Sequence, residues 1–267
     1  MTIAKHMGTA LITGASTGIG AIYAERLAKR GYDLILVARN RDRLNTLAKD
    51  LTGATGRSVE VVAADLNKSE DLRRVEHILR TDASITALVN NAGVGATAPL
   101  VDSDVDAMES MIDLNVTVLT RLTYAVAPKL AERRNGTIIN ISSIVAISPE
   151  LLNGVYGATK AYVLAFSQSL HHELAARGVR IHAVLPGAIR TPFWDIAGHP
   201  VDNLPAEKIM DAHDLVDAAL AGLEMGELAT VPSLPDGSQW DAYQTARAGF
   251  TLDILSRTKP APRYGVR

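Results

Sequence analysis

A glycine-rich turn between the first apolar run and the first helical pattern constrains this chain more than any other feature. Ala10–Thr13 has strand character, and Thr13-Gly-Ala-Ser-Thr-Gly-Ile-Gly20 follows at once, opening into an amphipathic segment over Ile19–Arg30. A strand that enters a helix through glycines is the context in which backbone N–H groups at a helix N-terminus face a phosphate. Gly14 permits the tight turn, Gly18 lets the backbone approach a pyrophosphate, and Gly20 lets the helix pack close to the sheet. Ser16, Thr17 and Ile19 lie among them and belong to the same expected cofactor contact.

Beyond this turn, short β-rich runs alternate with helix-length segments. The strand candidates are Ala10–Thr13, Asp33–Ala38, Ser58–Ala63, Ala87–Asn90, Gly136–Ser142, Arg180–Leu185 and Leu228–Val231. The helix candidates are Ile19–Arg30, Arg41–Leu51, Lys68–Arg80, Asp104–Arg133, Tyr156–Arg177 and Glu207–Glu224. The strands read as apolar on both faces, as strands covered on both sides do. The alternation predicts an α/β fold: a doubly wound, seven-stranded parallel sheet of Rossmann type with helices on both faces. With 267 residues and neither a linker nor a repeat, a single domain over 1–267 is expected. Two stretches stand apart, a substrate lid at about 190–212 and a helical C-terminal tail at about 234–267.

Charge and composition narrow the partners. Lys+Arg at 27 against Asp+Glu at 29 leave a net charge of -2, with no basic excess for a nucleic-acid backbone or an anionic membrane surface. The absence of cysteine excludes disulfides, thiolate catalysis and Cys-ligated zinc. His171-His172 point about 100° apart on a helix and do not share an ion, so no metal is expected. Apolar runs such as Leu34–Ala38 fall far short of the roughly 20 residues of a membrane helix. Near the N-terminus, Lys5 and His6 precede an apolar run too short for a signal peptide. The expectation is a cytoplasmic protein without nucleic-acid or membrane partners.

The second strand ends Val37-Ala38-Arg39-Asn40, where an NAD-preferring site would place an acid on the ribose hydroxyls. Arg39 instead offers a guanidinium fork to a 2′-phosphate, so NADP(H) is expected to be preferred, with NAD(H) possible.

These motifs, with those that follow, resemble the short-chain dehydrogenase/reductase family from Thr13 to about Thr191. Asp65-Leu66 is similar to that family's adenine contact, and Asn90-Asn91-Ala92-Gly93 to the motif after its fourth strand. Asn115 falls at its catalytic asparagine, Ile141-Ser-Ser143 at its serine motif, and Tyr156-Gly-Ala-Thr-Lys160 at its Tyr-x-x-x-Lys. Pro186-Gly187-Ala-Ile189-Arg-Thr191 resembles its cofactor-side loop. The resemblance implies that Lys160 holds the nicotinamide ribose and that Asn115 steadies a water in a proton relay. It also implies a homodimer or homotetramer packed through the helices at Asp104–Arg133 and Tyr156–Arg177.

Four residues apart, Tyr156 and Lys160 share one helix face. A nearby ammonium favours the phenolate, so Tyr156 is expected to act as general acid or base. Ser143 would hydrogen-bond the substrate oxygen. The expected pocket segments, Val94–Pro99, Ile144–Val155 and Thr191–Leu204, include Phe193 and Trp194, and the first two carry a single charge, Glu150. A carboxylate substrate would want a fixed cation there. The expected reaction therefore interconverts a carbonyl and a secondary alcohol on a small, neutral, largely apolar molecule. Two alternatives stand beside it. One is a reductase of 3-oxoacyl groups on a carrier protein, disfavoured by the long tail; the other is a non-catalytic NADPH sensor.

Overall fold

The computed structural model describes residues 6–266; Lys5 and Arg267 lie outside the described residues. The chain divides after Pro232 into two compact units. In the first, β1 (Thr9–Thr13), β2 (Asp33–Ala38), β3 (Val59–Ala63), β4 (Ile85–Asn90), β5 (Gly136–Ile141) and β6 (Val179–Val184) are joined by a short last strand at Ala229–Thr230. All pair in parallel, in the order β3-β2-β1-β4-β5-β6 and then Ala229–Thr230. The seven-stranded, doubly wound sheet expected from the alternation is present.

Side chains alternate between the two faces of each strand, and the core follows that period. Ala10, Ile12, Leu34 and Leu36 face one way, against α1 (Gly18–Lys29), α2 (Arg41–Thr55) and the later helix at Ala212–Met225. Leu11, Ile35 and Val37 face the other way, against α3 (Ser69–Thr81) and residues of two long helices. Those helices depart from expectation in one place. The segment read as a single helix over Asp104–Arg133 is α4 (Val105–Ile112), a π-helical turn at Asp113–Val118, and α5 (Leu119–Arg133). The next is α6 (Gly154–Leu174), ending in a 3₁₀ turn at Ala175–Arg177.

A buried amide ladder pins these layers together. Asn90 Nδ2 donates to Asn140 Oδ1 at 2.9 Å and to Thr123 Oγ1 at 3.1 Å, and Asn140 Nδ2 donates to Ser167 Oγ at 2.9 Å. It joins β4 and β5, where the two asparagines are register partners, to α5 and α6. Buried polar groups need such partners.

The expected lid has a closed base that periodicity did not suggest. β7 (Ala188–Ile189) and β8 (Ile209–Met210) pair in parallel, with short α7 (Phe193–Ile196) between them. Because Ile209 and Met210 pair there, α8 (Ala212–Met225) begins later than the expected Glu207, capped by Asp211 accepting from His213 N at 2.7 Å. The last sheet strand is β9 (Ala229–Thr230). The second unit holds α9 (Ser238–Leu255), within the expected tail, where the Trp240 and Tyr243 rings lie 5.4 Å apart. Among the described residues no helix is long and apolar enough to cross a membrane, and no group of three or more His, Asp or Glu is placed to hold a metal.

Candidate active site

Strand order reverses between β1 and β4, so the carboxyl ends of these strands flank a crevice. Thr13, at the end of β1, ties its two sides together. Its hydroxyl accepts from the N–H groups of Asn91 and Ala92, both at 3.0 Å, and donates to the Val89 carbonyl at 3.2 Å. The Asn91 amide donates back to the Thr13 carbonyl at 2.9 Å and the Gly14 carbonyl at 3.2 Å. Asn91 therefore spends its side-chain donor on the glycine turn itself. Thr13 was not among the expected site residues; its signal is a hydroxyl on the last strand residue before the first glycine.

The turn fits a dinucleotide. Gly14 and Gly18 sit in the left-handed region, at φ of 64° and 55°, and a side chain at Gly20 would run into the Gly14 carbonyl. A side chain at Gly18 would meet the Thr191 methyl group at 3.3 Å, so the turn and the strip after β7 approach as two walls. Thr17 caps α1 without a side-chain hydrogen bond, and the first turn carries no acid, leaving its N–H groups for an anion. Ser16 and Ile19 are half-buried along the same turn. Arg39, one residue past β2, is exposed and has no side-chain partner among the described residues. Asp65 is half-buried, accepting from Asn67 N at 3.2 Å, and Leu66 is buried beside it. Gly187 has open space where a side chain would stand.

The four expected reaction residues converge, Ser143, Tyr156 and Lys160 past β5 and Asn115 from the turn before α5. Ser143 Oγ donates to the Pro186 carbonyl at 3.3 Å and accepts from Val145 N at the same distance. Ser142 points elsewhere, donating to the Lys160 carbonyl at 2.8 Å and so fastening α6 to the strand end. Lys160 Nζ donates to the Ile141 carbonyl at 2.9 Å and stands 5.8 Å from the Tyr156 ring centre. Asn115 lies in the π turn, whose altered winding turns its side chain inward. Its amide donates to the Val94 carbonyl at 2.8 Å and to Thr159 Oγ1 at 3.1 Å, while accepting from Val94 N at 3.0 Å. A side chain at Gly93 would meet Asn115 Oδ1 at 3.0 Å and Lys160 Nζ at 3.6 Å, so glycine keeps that space clear.

Tyr156 closes the floor of an apolar cluster with Val94, Ala96, Ile144, Leu152, Val155 and Phe193. Met108 and Met111 of α4 complete it; neither was expected, because helical periodicity marks them only as a buried face. The Phe193 ring lies 5.7 Å from that of Tyr156. Trp194 packs edge-on against Phe193 and donates its indole N–H to the Ile189 carbonyl at 2.9 Å, serving the lid's own packing. Glu150 is exposed, and Ile196, at 63% exposure, stands outside the cluster.

Burial sets the protonation of the pair. Tyr156 is pushed up to about 12 by burial, with the neighbouring Ser143 hydroxyl acting in the opposite direction. Lys160 is pushed down to about 8 by burial. Spacing alone predicts that the ammonium prevails; in the structure desolvation outweighs it, because both groups are shut off from water. Tyr156 is thereby held as a neutral phenol.

The family model for short chain dehydrogenase matches residues 8–199. The chain belongs to the short-chain dehydrogenase family. It is accordingly an oxidoreductase with a nicotinamide-cofactor fold. A short-chain dehydrogenase from Sphingobium yanoikuyae, solved in complex with NADPH, is 47% identical, with a TM-score of 0.93 over 97% of this chain and 100% of that one. The bulky-bulky ketone specific alcohol dehydrogenase from Comamonas testosteroni is 43% identical, with a TM-score of 0.89 over 97% of this chain and 99% of that one. An uncharacterized oxidoreductase of Staphylococcus epidermidis is 34% identical over 215 residues, covering 80% of this chain and 90% of its own.

The depressed Lys160 has a measurable consequence. Between pH 8 and the usual lysine range, the unfolded chain keeps a proton on this residue that the folded chain releases, so stability gains from it as pH rises. Relative to Lys160→Met, the folding constant of the native chain should improve by up to about tenfold per pH unit from pH 8 to 10. Urea unfolding of both proteins across that range measures it, and parallel curves would contradict it.

Proposed function

We propose that this protein is an NADP(H)-preferring reductase of neutral, largely apolar ketones, and the corresponding secondary-alcohol dehydrogenase in reverse. The observation that carries this reading is the buried Tyr156 phenol packed against Val94, Ile144, Leu152 and Phe193, with the Lys160 ammonium 5.8 Å from its ring and bonded to the Ile141 carbonyl. A nicotinamide bound beside this site would supply the hydride chemistry, to the carbonyl carbon in reduction and from the carbinol carbon in oxidation. Tyr156 Oη gives its proton to the carbonyl oxygen during reduction and takes it from the hydroxyl during oxidation. Its neutral state is the acid form that reduction uses. Ser143 Oγ orients the same oxygen and stabilises charge developing on it. Lys160, bonded to the Ile141 carbonyl and 5.8 Å from the phenol ring, holds positive charge beside the phenol and meets the cofactor ribose. Asn115 fixes the backbone at Val94, which bounds the pocket.

On the cofactor side, the glycine turn with Ser16, Thr17 and Ile19 takes the pyrophosphate, and Asp65 and Leu66 border the adenine. The Asn91–Gly93 strip, Pro186, Gly187, Ile189 and Thr191 line the nicotinamide half. Arg39 takes the 2′-phosphate; its unpartnered guanidinium, and the NADPH held by the Sphingobium relative, support this. The bulky-ketone specificity in the name of the Comamonas relative supports an apolar ketone as substrate.

Helices α5 and α6 expose a run of stacked rings, Tyr124 on Phe166 at 6.5 Å and Tyr162 on Phe166 at 5.6 Å, with Tyr124 68% exposed. That surface supports a homo-oligomer formed across these two helices.

Three experiments follow from this reading. Tyr156→Phe should lower kcat for ketone reduction by about 10²- to 10⁴-fold while leaving NADPH affinity unchanged in a fluorescence titration; surviving turnover would remove Tyr156 from the chemistry. Arg39→Ala should weaken NADPH about tenfold to a hundredfold and NADH by less than about twofold, read as the ratio of Kd values. An equal loss for both cofactors would make Arg39 a surface charge only. Tyr124→Glu should reduce the assembled species in light scattering, since a charge at an apolar interface centre costs several kcal/mol.

A further inference from the structure

Asn153 precedes the helix that carries Tyr156, and its side chain, 5% exposed, is fully engaged. Its Oδ1 accepts from the N–H groups of Val155 at 2.9 Å and Tyr156 at 3.3 Å, capping α6. Its Nδ2 donates to the Ala98 carbonyl at 2.7 Å and to Ser103 Oγ at 3.2 Å. A primary amide offers two donors and two acceptor positions, so this one is used completely. Capping alone does not require asparagine, because serine or aspartate satisfies first-turn N–H groups equally well. The two donors aimed at 98 and 103 are what asparagine adds.

Those donors hold a strip that borders the substrate. Its start is fixed where both backbone groups of Val94 bond to the Asn115 amide. Its middle is fixed to the lid, where Thr97 Oγ1 donates to the Ala197 carbonyl at 2.9 Å. A side chain at Gly95 would run into the Phe193 ring, so the strip lies directly against the lid aromatic that contacts Tyr156. Its far end, the 98–103 turn, is fixed to the first turn of α6 by Asn153. Of these three ties, the one made by Asn153 joins the wall of the pocket directly to the turn that bears the phenol.

We propose that Asn153 is a positioning residue that sets the width of the substrate pocket by clamping the 94–103 strip to the turn bearing Tyr156. This rests on the ketone-reduction reading above. With the clamp in place, the wall and the proton donor move as one, and a ketone with large groups on both sides is presented to Tyr156 in one orientation. With the donors removed, Tyr156 stays capped and reactive while the wall loosens. A small ketone, which needs little from the wall, is then handled as before.

The test compares the full chain with Asn153→Ser, which keeps a capping oxygen and loses both donors, using hydrogen exchange and the kinetics of butan-2-one and a diaryl ketone. Exchange over 97–103 should rise about fivefold or more while 156–174 is unchanged. KM for the diaryl ketone should rise about fivefold, with KM for butan-2-one and both kcat values within about twofold. Asn153→Asp, of the same shape and with capping retained, reads the same contrast should the serine chain fail to fold, and Ser103→Ala should give a smaller rise in exchange over the same turn. Unchanged exchange over 97–103, or equal KM changes for the two ketones, would overturn the proposal. A native chain that reduces neither ketone would remove the ketone-reduction reading, and the exchange comparison alone would then decide the clamp.

Discussion

Parallel pairing of β1 with β2 on one side and β4 on the other is the constraint from which the site follows. Parallel strands all end at the same edge, so every loop that follows one is delivered to that edge. The order reverses between β1 and β4, and the segments after them must part there; the Thr13 hydroxyl then holds the two ends at fixed separation through Asn91 and Ala92. Ser143 follows β5, Pro186 follows β6, and Tyr156 and Lys160 are delivered by the helix between them. Residues as far apart in sequence as Gly18 and Thr191 therefore become opposing walls.

Around Tyr156 and Lys160, exclusion of water outweighs every other influence on charge. Lys160 and Tyr156 are both buried, and burial acts on each against its charged form. The protein offsets the cost with placed partners: the Ile141 carbonyl accepts from the Lys160 ammonium, and the Ser143 hydroxyl beside the phenol acts in favour of its charged form. The same principle governs the Asn90–Asn140 ladder below, where the amide donors of both asparagines are taken up by Asn140 Oδ1, Thr123 and Ser167, while Asn90 Oδ1 is buried without a partner among the described residues. Polar groups thus fix the registry of layers whose apolar packing alone would tolerate small slips.

Most of the first unit was legible because the period of its strands and helices is local information. The seven strands fall where short apolar runs sit, and the glycine turn declares itself because only glycine tolerates the backbone of residues 14 and 18 and the close approach at residue 20. The site motifs were legible for a similar reason: Tyr156 and Lys160 lie on one helix face by spacing alone. The π turn at Asp113–Val118 was not, since one extra residue in a helical turn leaves composition and amphipathicity almost unchanged. Nor were β7 and β8, two residues each, whose pairing is set by a partner about twenty positions away.

The sequence by itself determined the fold class, the glycine turn, the shared helix face of Tyr156 and Lys160 and the place of the arginine after β2, because each depends on residue type at fixed short spacing. Tertiary structure alone decided which way each side chain is spent. Ser143 and Ser142 are adjacent, yet one faces the pocket and the other fastens α6; Phe193 and Trp194 are adjacent, yet one meets Tyr156 and the other seals the lid. It also reversed the balance at Tyr156, where spacing promised a charge partner and packing imposed burial. The physical reason is the same throughout: hydrogen-bond direction and exclusion of water depend on what lies across the chain, which residue spacing along it does not encode.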